Sequence, residues 1–199
     1  MAKSPLAFLD TCSLLDSCWN NNGSVYSPSK EKRFWETELP KLEQHATVVV
    51  PARVYDELKK FAKGQKGPEL KLRSQHVLDL MLPRVDNQNI EVVGDSNDPF
   101  ADSIMLSAAL KFVTERDLTF ITQDRALAKD LMAICQFESI NRTLHQLNVK
   151  RIDKDGSLGA HRNSTSRPNA KASTSNTATI AAVQEAPSRF SSIKAWWNS

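Results

Sequence analysis

The feature that most constrains the fold of this chain is a regular alternation of short apolar strands with amphipathic helices. The predicted strands are mostly apolar or β-branched and lie at residues 6–9, 47–50, 90–93 and 118–121, with a further short strand near Phe137. The spacing of apolar residues predicts helices at residues 30–44, 51–61, 70–82, 99–113 and 125–134. Such alternation is typical of a mostly parallel sheet that helices cover on both faces, so we predict an α/β fold.

The composition changes near residue 150, which predicts two parts. Residues 1–150 carry the strand and helix pattern, whereas residues 151–199 are rich in Ser, Thr, Asn and Ala. The second part holds seven basic and three acidic side chains, a net charge of +4, and since the whole chain carries +3, residues 1–150 carry −1. Because the second part cannot bury enough apolar surface to fold alone, we expect a flexible, disordered tail whose positive charge adds salt-sensitive affinity for nucleic acid.

The end of the predicted tail differs from the rest of it. Phe190, Ile193, Trp196 and Trp197 lie within twelve residues of the last position, in a segment that is otherwise polar. Apolar side chains in a disordered segment are typical of short motifs that fold onto a partner. We therefore expect a protein partner for the Phe190–Trp197 segment.

Several classes of protein are disfavoured by the sequence. No apolar run reaches the roughly 20 residues of a membrane helix, and residues 1–10 lack the pattern of a signal peptide. Cys12, Cys18 and Cys135 are odd in number and lack paired CxxC spacing, so we interpret them as reduced structural thiols. The histidines, His76 among them, show no metal-ligand spacing. These observations favour a cytoplasmic protein without a membrane partner.

Four acidic residues follow the predicted strands at equivalent places. Asp10 and Asp124 come after strands, and Glu57 and Asp102 lie in helices that begin just after strands. Because ligands of parallel α/β sheets bind beyond the carboxyl ends of the strands, all four can point at one edge. Clustered carboxylates repel one another unless cations neutralise them, and their hard oxygen ligands suit Mg²⁺ or Mn²⁺. Two such ions can activate a water and stabilise both oxygens of a phosphodiester displacement.

Each acid also has an ordinary structural interpretation when it is taken alone. Asp10 and Asp124 could cap helices, Asp102 could favour a helix N-terminus, and Glu57 could be a solvated helix residue. Asp98 is a nearby candidate for an auxiliary ligand, although capping the helix that follows it is the simpler role. Only the convergence of the four distinguishes a metal site from these alternatives.

Four segments of the chain resemble, in family order, the four motifs of PIN domains. They are residues 8–15 (FLDTCSLL), 50–58 (VPARVYDEL), 102–110 (DSIMLSAAL) and 120–124 (FITQD). The resemblance covers about residues 5–150. It implies a Rossmann-like, three-layer α/β/α fold and a metal-dependent ribonuclease that leaves 3′-hydroxyl and 5′-phosphate ends.

The resemblance also implies roles for particular residues. Asp10, Glu57, Asp102 and Asp124 would be the metal-binding and catalytic acids, and Thr122 would support them through its hydroxyl group. Cys12 stands where many family members carry asparagine, and Thr11 or Ser13 could supply the missing polar group. The family function expected here is an endoribonuclease, either a toxin of a toxin-antitoxin pair or an RNA-processing enzyme that its tail recruits.

Basic residues near the proposed acids are candidate phosphate contacts. Lys59, Lys60 and Lys63 follow Glu57 in its helix, and Arg53 and Arg125 each lie close in sequence to a proposed ligand. These residues could bind RNA on either side of the scissile bond. A solvated helix face explains the lysines equally well.

Other functions remain as alternatives. A catalytically silent PIN-like scaffold would bind RNA or protein and would not need its acids. A phosphoacceptor receiver domain would require paired acids near the first strand, and an aspartate-nucleophile phosphatase would require a second aspartate where Cys12 stands. The RNA target, acceptance of DNA and formation of a homodimer are not determined by the sequence.

Overall fold

A six-stranded sheet forms the centre of the structure. The computed structural model describes residues 3–20, 23–96, 100–136 and 145–161. The strands are β1 (Leu6–Leu9), β2 (Trp19–Asn20), β3 (Val25–Tyr26), β4 (Thr47–Pro51), β5 (Ile90–Val93), β6 (Leu118–Ile121), β7 (Leu147–Ile152) and β8 (Leu158–Ala160). The main sheet has the order β5-β4-β1-β6-β7-β8, in which only β8 is antiparallel to its neighbour; β2 and β3 form a separate hairpin.

The helices form two groups around this sheet. They are α1 (Thr11–Asp16), α2 (Pro28–Arg33), α3 (Leu39–His45), α4 (Ala52–Ala62), α5 (Pro68–Asp86), α6 (Ala101–Phe112) and α7 (Arg125–Ile134), with a π-helical turn at Phe34–Glu38. Helices α1, α4 and α5 contact one another, and α6 contacts α7. Because crossovers between parallel strands are right-handed, the two groups lie on opposite faces of the sheet. Within the described ranges, none of the helices has the length and hydrophobicity that crossing a membrane requires.

The core is centred on β1 and β6. All four residues of β1 are buried, as expected for a strand with helices on both faces. In the parallel register, Phe8 lies beside Val49 of β4 and Phe120 of β6. The rings of Phe8 and Phe120 stack with centroids 4.9 Å apart. This packing holds the carboxyl ends of β1 and β6 next to each other.

The predicted α/β fold with a mostly parallel sheet is confirmed. Strands β1, β5 and β6 and helix α7 have the predicted bounds. The helix predicted at residues 30–44 is helical from Pro28 to His45, and Pro40 lies in the first turn of α3, where its missing N–H costs little. The irregularity in this helix is the π-helical turn that precedes α3.

The boundary predicted at residue 150 was placed too early. It falls inside β7, and the compact unit continues to His161. Strand β7 pairs with β6, and β8 returns antiparallel to it, so backbone hydrogen bonds hold a segment that has few apolar residues. The expected strand near Phe137, the auxiliary candidate Asp98 and the tail from residue 162 lie outside the described residues.

Candidate functional site

The candidate site lies where the strand order of the sheet reverses. From β1 the chain moves outward to β4 and β5, and it then crosses back to β6 on the other side of β1. Ligands of open α/β sheets bind beyond the carboxyl ends of the strands at such a switch point. Asp10 directly follows β1, and Thr122 and Asp124 directly follow β6.

Asp10 is a buried carboxylate that faces this switch point. The residue is only 4% exposed, and its Oδ2 accepts a hydrogen bond of 2.8 Å from the Thr122 hydroxyl. Its backbone N–H donates to the carbonyl of Ile121, which ties the end of β1 to β6. Although Asp10 occupies the N-cap position of α1, its side chain makes no capping hydrogen bond. Helix capping therefore does not explain the burial of this carboxylate.

The electrostatic environment of Asp10 opposes its ionisation. Its pKa is raised to about 6, mainly by burial and in part by the neighbouring charges of Asp102 and Asp124, against the lowering effect of the hydrogen bond from Thr122. A carboxylate near other carboxylates in a site with little water is stabilised by a bound cation. The position of Asp10 thus has the electrostatic character of a cation site.

Thr122 connects the two aspartates that follow the central strands. While its hydroxyl donates to Asp10, its Oγ1 accepts a 2.9 Å hydrogen bond from the backbone N–H of Asp124. Asp124 caps α7 through Oδ1, which accepts from the N–H groups of Ala126 at 2.6 Å and Leu127 at 3.2 Å. The capping role uses one of the two carboxylate oxygens. Thr122 is therefore placed to fix the positions of both aspartates.

Asp102 and Glu57 approach the same edge from helices. Asp102 is an exposed residue in the first turn of α6, and its pKa is raised by partial burial of the carboxyl group and then by the charges of Asp124 and Glu57. Glu57 in α4 accepts a 2.9 Å hydrogen bond from the hydroxyl of Thr11, and its Oε1 lies 3.4 Å from Nε of Arg53. Thr11 thus supplies a polar contact next to the position of Cys12.

The pKa of the Cys12 thiol is affected by the charges of all four acids. Burial raises its pKa to about 12, and the charges of Asp10, Asp124, Asp102 and Glu57 all add to the rise. We call these four residues the acidic cluster. Among the described residues, no three members of this cluster bring a ligand atom within 4.8 Å of one another. The four acids are therefore near enough to affect one another's ionisation, while no three of them form a set of ligand atoms as close as those of Cys18, Glu31 and His76.

The basic candidates divide into two sets, the two arginines and the lysines that follow Glu57. Arg53 contacts Glu57 and the carbonyl of Ser96, and the exposed Arg125 begins α7 directly after Asp124. Lys59 lies over the Tyr55 ring, with Nζ 4.6 Å from its centroid, and Lys60 pairs with Asp56 at 2.7 Å.

Lys63 is exposed just beyond the far end of α4. At about 100° per residue, Lys59 and Lys63 lie roughly 200° and 240° around the helix from Glu57. Arg53 thus contacts the acidic cluster and Arg125 adjoins one of its members in sequence, whereas Lys59 and Lys63 lie on other sides of α4 than Glu57.

Sequence patterns did not reveal a second polar cluster, formed by Cys18, Glu31 and His76, which we call the thiol cluster. One ligand atom from each of these residues lies within 4.8 Å of the other two. They come from the segment before β2, from α2 and from α5, so no short spacing links them. A motif search along the chain could not have found this group.

Comparisons with known proteins add little to this description. No family model and no curated protein matches the chain. One similar solved structure is described as a domain of a functionally unknown protein from Methanocaldococcus jannaschii DSM 2661. It is 17% identical with a TM-score of 0.43, and the match covers 65% of this chain and 85% of that one. This likeness supports no argument about function.

Proposed function

We propose that this chain is a PIN-like endoribonuclease that depends on a divalent metal ion, Mg²⁺ or Mn²⁺. The observation that carries the proposal is the convergence of Asp10, Glu57, Asp102 and Asp124 at the switch point of a parallel sheet. Four carboxylates from four separate elements share this edge, and the pKa values of Asp10 and Asp102 are raised by burial first and then by the charges of other members of the cluster. Such an arrangement costs stability unless it serves to bind cations.

The ligand atoms at this edge fit the proposed ions. Carboxylate oxygens are available from all four acids, and the hydroxyls of Thr11 and Thr122 hydrogen-bond to two of them. Oxygen ligands of this kind favour Mg²⁺ and Mn²⁺ over softer metals. Bound here, these ions would supply Lewis-acid chemistry that activates a water and stabilises the departing oxygen of the phosphodiester.

The chain's own residues would bind and orient the substrate around that chemistry. Thr122 holds Asp10 and the backbone of Asp124 in a fixed relation, and Thr11 holds Glu57. Arg125 is exposed beside Asp124, where its guanidinium could bind a phosphate next to the scissile bond. Positioning of this kind is a large part of catalysis in phosphoryl transfer.

The fold is compatible with the PIN-like, Rossmann-like part of the proposal. Numbered by their order along the chain, the five parallel strands run 3-2-1-4-5 across the sheet, which is a doubly wound arrangement. The sheet and the two helix groups on its faces make three layers. RNA as substrate follows from the resemblance of the four motifs, whereas the cytoplasm as compartment is the expectation drawn from the sequence; both are part of the proposal.

The decisive experiment is cleavage of labelled single-stranded and hairpin RNAs by the purified full chain. We expect cutting with Mg²⁺ or Mn²⁺, none with EDTA, and 3′-hydroxyl and 5′-phosphate ends on the products. Asp10→Asn and Asp124→Asn should both abolish cutting while the proteins remain folded by circular dichroism. Asp79→Asn, at an exposed carboxylate of α5, is the matched control and should cut as the wild type does.

Each alternative outcome has a distinct meaning. Cutting that survives both substitutions would place the activity elsewhere or in a contaminant. A folded chain that binds RNA but never cuts it, with any metal, would contradict the proposal and favour the silent scaffold. Parallel assays with DNA of the same sequence determine whether the sugar is recognised.

A further inference from the structure

The three residues of the thiol cluster meet around Glu31. Nε2 of His76 lies 2.5 Å from Oε2 of Glu31, and Sγ of Cys18 lies within 4.8 Å of a ligand atom of each. The thiol and, in one tautomer, the imidazole each place a labile proton between ligand atoms. Those are the protons that a metal ion replaces when it binds.

Neighbouring side chains hold two of these ligands in place. Oγ of Ser17 lies 3.4 Å from Sγ of Cys18 and itself accepts a 2.9 Å hydrogen bond from the Trp35 indole. The Tyr26 hydroxyl donates to Oε2 of Glu31 at 2.9 Å. Metal ligands in proteins are typically oriented by such outer hydrogen bonds, which fix the ligand atoms before the ion arrives.

Aromatic contacts fix the ring plane of His76, the third residue of the thiol cluster. The rings of Trp19 and Tyr26 meet His76 edge-on, with centroids 5.4 Å and 5.5 Å away and interplanar angles of 86° and 83°. With its ring plane held in this way, His76 directs Nε2 at Glu31. The imidazole is therefore positioned without a metal.

The cluster is accessible from one side. Cys18 is fully buried, whereas the side chains of Glu31 and His76 are 20% and 34% exposed. An ion can approach past the carboxylate and the imidazole and reach the thiol behind them. A water that arrives from the same side would be the fourth ligand.

We propose that the thiol cluster binds a zinc ion through Sγ of Cys18, Nε2 of His76 and a carboxylate oxygen of Glu31. A mixed set of sulfur, nitrogen and oxygen ligands suits Zn²⁺ and disfavours Mg²⁺. Tetrahedral bonds of about 2.0–2.3 Å place ligand atoms roughly 3.3–3.8 Å apart. The three atoms, all within 4.8 Å of one another, need to move little to reach that geometry.

Binding balances with the release of one proton. Burial raises the pKa of Cys18 to about 12, so the thiol is protonated at neutral pH. The sulfur–zinc bond forms as the S–H proton passes to solvent. The imidazole remains neutral overall: the proton that Nε2 donates to Glu31 is released as Nδ1 takes one up from solvent, and this leaves the Nε2 lone pair for the ion. The bound ion would join the hairpin segment, α2 and α5, three elements that are distant along the chain.

Cobalt(II) is the probe for this site, because its bond to a thiolate gives an absorption band in the near ultraviolet. Cys12 lies beside the acidic cluster, so the titration is made in full-length Cys12→Ser protein, from which metal has been removed under reducing conditions. We expect a charge-transfer band that saturates at one cobalt ion per chain and disappears when one equivalent of zinc is added. The proposal does not rest on the nuclease function, and neither does this assay.

Matched variants separate the proposed site from other thiols. Cys18→Ser should abolish the band, Cys135→Ser should retain it, and His76→Gln should weaken cobalt binding more than about tenfold. A band that persists in Cys18→Ser, or no band in the folded parent, would overturn the proposal. If Cys18→Ser does not fold, His76→Gln and Glu31→Gln decide, because unchanged cobalt affinity in both contradicts the assignment.

Discussion

The acidic cluster and the thiol cluster are both polar groups gathered from distant parts of one chain, but they are assembled in different ways. Asp10 and Asp124 follow neighbouring parallel strands, so sheet topology alone brings them together. Glu31 and His76 meet only because α2 and α5 pack around the β2–β3 hairpin. A site at a sheet edge can therefore be foreseen from strand order, whereas a site between packed helices depends on details of side-chain packing.

The two clusters also differ in how their charges are compensated. In the acidic cluster, burial and like charges raise the pKa of Asp10 to about 6. In the thiol cluster, burial opposes ionisation of Glu31, but hydrogen bonds from His76 and Tyr26 outweigh it and lower the pKa of this carboxyl. In the first cluster the ionised form of a carboxyl group is disfavoured, whereas in the second it is favoured by hydrogen bonds. This difference gives the clusters opposite responses to pH and to substitution.

The largest expected effect is a difference in the rate of RNA cleavage between variants of the two clusters. Asp102→Asn and Glu31→Gln each remove one carboxylate charge, one from each cluster. If the proposed function holds, Asp102→Asn should lower the rate of RNA cleavage by about 10²–10³-fold, because it removes a proposed metal ligand and with it several kcal/mol of transition-state stabilisation. Glu31→Gln should leave the rate within a few-fold of the wild type. Equal losses in single-turnover assays would mean that the clusters form one functional unit.

The next effect is the pH dependence of stability in metal-free protein. The pKa of Asp10 rises from 3.8 to about 6 on folding, so folding becomes less favourable as pH increases between these values, by about 3 kcal/mol in total. Asp10→Asn should therefore gain stability relative to the wild type between about pH 4 and pH 7. Urea unfolding with EDTA at several pH values measures the difference.

Glu31 provides the opposite control in the same unfolding experiment. Because its folded pKa is lowered, its ionised form stabilises the fold at neutral pH, and this contribution is lost as the solution is acidified. Glu31→Gln should therefore destabilise the chain at neutral pH and less so in acid. If the two variants shift in the same direction with pH, the electrostatic contrast between the clusters is wrong.

A smaller effect tests how Thr122 supports the acidic cluster. Thr122→Val keeps the side-chain shape but removes the hydroxyl that bridges Asp10 and the Asp124 N–H, so we expect cleavage to fall about 10–100-fold. Thr122→Ser retains the hydroxyl and should restore most of the rate. The pH profile of cleavage should also shift upward in the valine variant, because a hydrogen bond that lowers the pKa of Asp10 is lost. A serine variant as slow as the valine variant would indicate a packing role instead.

The smallest expected effect concerns phosphate contact at the edge of the acidic cluster. Arg125→Ala should weaken RNA binding a few-fold and reduce the slope of log affinity against log salt by roughly 0.7, as loss of one phosphate contact does for a single strand. Lys63→Ala is the control, because Lys63 lies beyond the opposite end of α4 from the cluster. Fluorescence anisotropy with labelled RNA in EDTA measures both. A larger effect at Lys63 would place the RNA along α4.

The sequence determined the parts of this protein that depend on local pattern. The buried strand at Leu6–Leu9 and the acid that follows it are evident from hydrophobicity and turn chemistry, and so are β6 and α7. Parallel topology then places Asp10 and Asp124 at one edge, since the carboxyl ends of neighbouring strands coincide. The amino-acid sequence was therefore sufficient to propose the acidic cluster.

Tertiary structure decided the features that local sequence patterns do not predict. Strand β8 has only three residues and no apolar periodicity, and its pairing with β7 carries the fold to His161. No sequence spacing linked Cys18 to Glu31 and His76, because packing across three elements brings these residues to its thiol. Long-range pairing and helix packing depend on contacts between distant residues, and no local propensity records them.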